Sequence, residues 1–191
     1  MKNMDTKTTQ RIMSVDPEKA TGEAKELLDV VKAKFGAVPN SLKVMANSPA
    51  VLKALLSFDG AIEGGMLPFE TRNQIAIMVS EIHKCPYCLS VFTYIGKNGG
   101  VDDHSLQSCR MAGSTDPKID AALKFAKAIV KSRGDIKSED FDKVKSAGYS
   151  DGEIEEIVAN VGLYTFSNYF TLVTKTEVDF PLVSPNKEQI I

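Results

Sequence analysis

The stretch Pro68 to Gly100, PFETRNQIAIMVSEIHKCPYCLSVFTYIGKNGG, decides how the chain folds. Ile75, Met78, Val79 and Ile82 recur at i, i+3, i+4 and i+7, the spacing of a helix with one core-facing side. Pro86 interrupts that pattern, so a new helix is expected to open at the cysteine pair and run to about Lys97, ended by Gly99-Gly100. Two helices joined at Cys85-Pro86-Tyr87-Cys88, with no strand before the motif, argue against a thioredoxin fold.

The rest of the chain reads the same way. Asp16-Pro17 looks like a helix start, followed by Ala24, Leu27, Leu28, Val31 and Phe35 at helical spacing up to Gly36. A short helix is expected over 41–46, and Ser48-Pro49 starts another that reaches Glu63. Asp102 or Asp103 can cap a short helix to Met111. Asp116-Pro117 opens a helix with the stripe Ile119, Ala122, Leu123, Ala126, Ile129 and Val130, which suits a core or a subunit interface. Ser138 starts a further short helix, and Ser150 with Glu153 has capping-box spacing before Ile154, Ile157, Val158 and Val161. The tail from Val178 reads extended. No stretch alternates with period two. The expectation is an all-α, single-domain bundle of eight or nine helices over 16–191, preceded by a polar segment, 1–15, that is loosely held or lies across a neighbouring subunit.

Composition narrows the function. The 191 residues carry 23 Lys plus Arg against 25 Asp plus Glu, so no basic surplus exists to bind nucleic acid or an anionic membrane. The longest aliphatic run, Ile75 to Val79, is far short of the roughly 20 residues that span a bilayer. MKNMDTKTTQ has no apolar h-region, and a cytoplasmic protein is expected. Three cysteines do not make a disulfide framework.

Chemistry is expected at Cys85 and Cys88. With Pro86 as the first helical residue, Cys85 is the N-cap and Cys88 is N3, so both sulfurs face unsatisfied N–H groups and the positive end of the helix dipole. That setting favours thiolate, and Lys84 adds charge next door. Three readings stand: a reversible dithiol/disulfide couple, a zinc site completed by His83 or His104, or two core cysteines with no function. Glu81 could accept a proton, although a solvated glutamate is the plainer reading, and His83 could act as a base from an exposed helix end. His104 reads as surface and Cys109 as a small buried hydrophobe, while Tyr87, Phe92, Tyr94 and Phe166 read as core.

Phe35-Gly36-Ala37-Val38-Pro39-Asn40, Ser48-Pro49, Leu67-Pro68, Val79-Ser80 and Cys85-Pro86-Tyr87-Cys88 together resemble the carboxymuconolactone decarboxylase / alkylhydroperoxidase D-like family, in its peroxidase-related branch. The likeness runs from about Asp16 to Pro181. It implies an all-helical homo-oligomer that reduces hydroperoxides or disulfides and is re-reduced by a dithiol partner, without cofactor or resident metal. It implies that Cys88 attacks and Cys85 resolves; the dipole alone does not choose between the two sulfurs. The family's proton relay, a glutamate and a histidine, falls here on Asn73 and Phe92. Asn takes no proton at neutral pH, and Phe92 at i+4 should dry the Cys88 sulfur and raise its pKa. Loss of a general base costs about 10²–10⁴-fold in rate. The alternative is therefore a relay-deficient member acting as a non-enzymatic, redox-responsive or structural oligomer.

Overall fold

The computed structural model describes residues 10–187, and every regular element within them is helical. The helices are α1 (Gly22–Phe35), α2 (Asn40–Met45), α3 (Pro49–Glu63), α4 (Phe69–Ile82), α5 (Pro86–Asn98), α6 (Asp103–Ser108), α7 (Pro117–Ser132), α8 (Ser138–Ser146) and α9 (Asp151–Thr174). A 3-10 turn, Cys109–Met111, follows α6.

Side-chain caps set several starts. Asp102 accepts the N–H groups of His104 and Ser105, and Asp116 those of Lys118 and Ile119. The Ser150–Glu153 capping box forms in both directions. The first start differs from expectation. Asp16 takes the N–H groups of Glu18, Lys19 and Ala20 into a turn, and α1 begins only at Gly22. The aspartate's local bonds compete there with helix propagation.

Helix α4 is the centre of the bundle, packed against α5, α7 and α9. Its expected single apolar face is an underestimate: Ile75 to Val79 are all fully buried, and Asn73, Gln74, Ser80 and Glu81 are buried with them. A helix surrounded on all sides has no solvent face to keep polar, so its sequence periodicity weakens. The α7 stripe resolves to core, with Ile119, Ala122, Leu123 and Ala126 buried and Ile129 and Val130 packed against the same cluster. A second cluster joins α1, α2 and α3 around Leu28, Val31, Leu42 and Leu52.

Glu156 of α9 ties the bundle together at the entrance to α4. Its carboxylate accepts the N–H groups of Met66 and Leu67 at 2.8–2.9 Å. Of the segment expected to be loose, residues 1–9 lie outside the described residues. The remainder is anchored: Arg11 N–H donates to Thr174 O, Val15 N–H to Lys43 O, and Asn47 Nδ2 to Met13 O. The tail after α9 is extended and runs back along the start of α5.

Candidate active site

The turn between α4 and α5 aims the cysteines. Lys84 takes a left-handed backbone (φ 56°), which ends α4 and lets Cys85 N–H bond back to Ser80 O at 3.0 Å. Cys85 then serves as N-cap of α5, and its Sγ accepts the Cys88 N–H at 3.3 Å. Pro86 at the first helical position loses no bond by lacking an N–H. Both sulfurs are free thiols and buried, packed with Tyr87 and covered by Phe92, Leu172, Val178 and Phe180.

Thr171 of α9 bridges them. Its Oγ1 lies 3.1 Å from Cys85 Sγ and 3.4 Å from Cys88 Sγ, and also within reach of Ser167 O and Asn168 O. A hydroxyl owns one proton and two lone pairs, so it can donate to a thiolate or accept from a thiol as the pair titrates. Sequence reasoning missed Thr171. The signal was available: Asn160, Asn168, Thr171 and Thr174 form a buried polar line along an otherwise apolar helix face.

The two thiols are unequal. Cys85 falls from the ordinary thiol range to about 7, because the Cys88 thiol hydrogen-bonds its charged form against the cost of burial, with Thr171 and the N–H groups of Cys88 and Tyr87 assisting. Burial raises Cys88 well above the ordinary value, and the neighbouring Cys85 adds to it. The dipole end therefore serves Cys85 and not, as expected, both sulfurs. Nor is Lys84 a cause: its Nζ donates to Glu81 and to Asn186 O.

The remaining candidates separate from the sulfurs. Glu81 is not solvated but wholly buried, and it is committed. Its oxygens accept from Arg110 at 2.7–2.8 Å and from Asn186 N–H at 2.7 Å. His83 is half-buried rather than exposed, with Nε2 3.3 Å from Thr165 Oγ1 and its ring edge-on to Tyr169; burial lowers its pKa. Neither bonds a cysteine sulfur among the described residues. His104 is exposed, and no group of three or more His, Cys, Asp or Glu among the described residues could hold a metal ion. Cys109 is buried, which pushes its thiol up to about 12. Tyr87 is buried and Phe92 half-buried, but Tyr94 and Phe166 are exposed.

Asn73 and Phe92 do meet, as a structural contact. Asn73 Nδ2 donates to Phe92 O at 3.0 Å, and Phe92 stacks edge-on to Tyr164. Gly96 makes this possible: a Cβ there would come within 2.2 Å of Asn73 Oδ1.

A cavity of about 530 Å³ opens on the pair, between α2, α3, α4, α5, α9 and the tail. Cys88 lines it and Cys85 does not. The arrangement presents one thiol to a ligand and keeps the more acidic one behind it.

Comparison with known proteins bears on the fold. No curated protein matches the sequence. The fold matches an uncharacterized peroxidase-related protein from Silicibacter sp., with TM-score 0.79, 22% identity, and 98% of this chain and 100% of that one covered. It also matches a peroxidase-related protein from Ralstonia eutropha described as an alkylhydroperoxidase AhpD core, at TM-score 0.75 and 21% identity over 93% of each chain. A third match is the debrominase Bmp8, solved with 2,3,4-tribromopyrrole, at TM-score 0.76 and 22% identity over 88% of this chain and 91% of that one. Residues 49–131, which hold both cysteines of the pair, match the model of the carboxymuconolactone decarboxylase family. That match covers the middle of the chain, 49–131, as carboxymuconolactone decarboxylase-like sequence, and the chain as a whole has an AhpD-like fold.

Proposed function

We propose that the protein is a thiol-dependent antioxidant oxidoreductase that reduces hydroperoxides or disulfides through Cys85 and Cys88. The observation that carries this reading is the asymmetric pair: a Cys85 thiol near pKa 7, hydrogen-bonded by a Cys88 thiol that faces a cavity.

This asymmetry supplies what Asn73 and Phe92 lack. Cys85 thiolate is the base that takes the Cys88 proton as Cys88 Sγ attacks the peroxide O–O bond. Cys85 passes that proton to the departing alkoxide, so the products of the step are an alcohol and a Cys88 sulfenic acid, with Cys85 again a thiolate. Cys85 then attacks the sulfenic sulfur and water leaves. In sum, two thiols and ROOH give one disulfide, ROH and water. Thr171 hydrogen-bonds whichever sulfur carries charge. A dithiol reductant restores the pair by exchange, with its own disulfide as the product. A disulfide substrate would enter the same cycle by exchange at Cys88. The reading places the chain in the cytoplasm as a homo-oligomer, in line with the family resemblance. No helix among the described residues is long and apolar enough to cross a membrane.

The test is to add cumene hydroperoxide to fully reduced protein, count thiols and map disulfides by mass spectrometry. The expected result is a Cys85–Cys88 disulfide with Cys109 still reduced, and turnover when dihydrolipoamide is supplied. A pair that stays reduced would contradict the proposal and favour the non-enzymatic oligomer, a reading that the burial of both sulfurs also fits.

A further inference from the structure

The cavity is lined by two chemically different groups of side chains. One is Cys88, flanked by Phe92. Phe92 stacks on Tyr164, and Tyr164 is close enough to Asp59 and Arg72 to feel their charges. Asp59 and Arg72 line the same cavity, with Lys34 and Glu63 beside them. Most of the remaining lining is apolar and aromatic, including Phe35, Leu42, Leu55 and Phe69.

Size argues against a peroxide-only pocket. One water occupies about 30 Å³ in the liquid, and pockets for drug-sized ligands span about 300–1,000 Å³. A cavity of about 530 Å³ belongs to the second class. Hydrogen peroxide would leave most of it empty or wet against apolar walls.

The formal charges of Lys34, Arg72, Asp59 and Glu63 balance, and Asp179 also lines the cavity, but one cation is not held in an ion pair among the described residues. Lys34 and Glu63 pair with each other. Arg72 Nε donates to Leu67 O at 3.2 Å, which fixes the side chain, while its terminal amino groups have no hydrogen bond or ion pair among the described residues. Asp59 makes no hydrogen bond or ion pair there either, and burial raises its pKa despite nearby Lys34 and Arg72. A guanidinium presents a planar fork that matches a carboxylate, and it does not lose its charge.

We infer that the cavity binds an elongated organic substrate with an apolar body and an anionic end group, its reducible group at Cys88 and its anion at Arg72. This rests on the thiol-redox reading for the placement of the reducible group, but not for the binding itself.

The test therefore measures binding without reaction. Dodecanoate, dodecanol and dodecylamine, each below its aggregation concentration, are titrated into the reduced full chain by displacement of Nile red. Dodecanoate is expected to bind at least tenfold more tightly than dodecylamine. Arg72→Met should weaken dodecanoate at least tenfold and leave dodecanol unchanged, which also shows that the cavity is intact. Arg72→Lys, the variant to use if Arg72→Met does not fold, should weaken dodecanoate only a few-fold. Equal binding of dodecanoate to wild type and both variants, tighter binding of the amine, or no binding of any probe would overturn the inference. Anion discrimination without hydroperoxide-driven disulfide formation would keep this site and remove the redox function; the reverse pattern would do the opposite.

Discussion

Glu81 and Cys85 stand four residues apart at the α4–α5 corner, and neither side chain is exposed. Glu81 is closed: Arg110, Lys84 and Asn186 N–H occupy its oxygens, and Arg110 goes on to hold Ser184 O of the tail at 2.8 Å. Cys85 is open. Its partners are a thiol, a hydroxyl and backbone N–H groups, none a full opposite charge, and its neighbour Cys88 faces a cavity. Equal burial thus produces a structural clamp in one case and a titratable pair in the other. What separates them is whether a counter-charge is supplied.

The largest effect should come from breaking the clamp. Arg110→Met leaves Glu81 buried without its main counter-charge, a change that costs about 3–5 kcal/mol. Chemical denaturation should show that loss, and limited proteolysis should cut first in the tail after Val183. The double variant Glu81→Leu/Arg110→Met should recover most of it. A single variant as stable as wild type would mean that Glu81 is not held by charge.

The open pair should respond to pH instead. In the unfolded chain the Cys85 thiol keeps its proton until about 9, whereas the native thiol loses it near 7. Between these values the unfolded state binds more protons, so stability rises with pH, by up to about 2–3 kcal/mol. Above pH 9 the raised Cys88 reverses the sign. The difference in denaturation free energy between wild type and Cys85→Ser, followed from pH 6.5 to 9, should show that rise. A flat difference would place Cys85 among ordinary buried thiols.

The contact between positions 73 and 96 tests whether Asn73 has a packing role. Gly96→Ala puts a methyl group against Asn73 Oδ1 and Leu106 Cδ2. Overpacking of this kind costs about 1–3 kcal/mol, and thermal melting would read it. Asn73→Ala in the same background should relieve part of the cost.

Most of the helices and several of their caps could be read from periodicity and punctuation, because Asp116-Pro117, Ser150-Glu153 and the paired glycines act within a few residues of themselves. The cysteine turn was legible for the same reason. Glu81 was not, since its partners Arg110 and Asn186 are 29 and 105 residues away and no local pattern announces a buried ion pair. Thr171 lies 83 residues from Cys88, and the polar line it shares with Asn160, Asn168 and Thr174 does not say which residues it faces. The inequality of the sulfurs also needed the fold: the Cys88 thiol and the N–H groups of Cys88 and Tyr87 stabilise charge on Cys85, while burial raises Cys88.

The smallest predicted effect isolates that hydroxyl. Thr171→Val keeps shape and removes one hydrogen bond, worth about 1 kcal/mol. Cys85 should then ionise roughly one pH unit higher by the relation between pKa and free energy. Unchanged ionisation would make Thr171 a packing residue only.

The central claim is that Cys85, and not Cys88, is the acidic thiol. Thiolate absorbance at 240 nm, followed with pH in reduced wild type, Cys85→Ser and Cys88→Ser, tests it without requiring a reagent to enter the site. The account predicts one thiolate appearing with a midpoint near 7 in wild type, absent in Cys85→Ser and retained in Cys88→Ser, whose hydroxyl can still donate to Cys85 Sγ. A transition near 7 that survives in Cys85→Ser, or none below pH 8.5 in wild type, would contradict it.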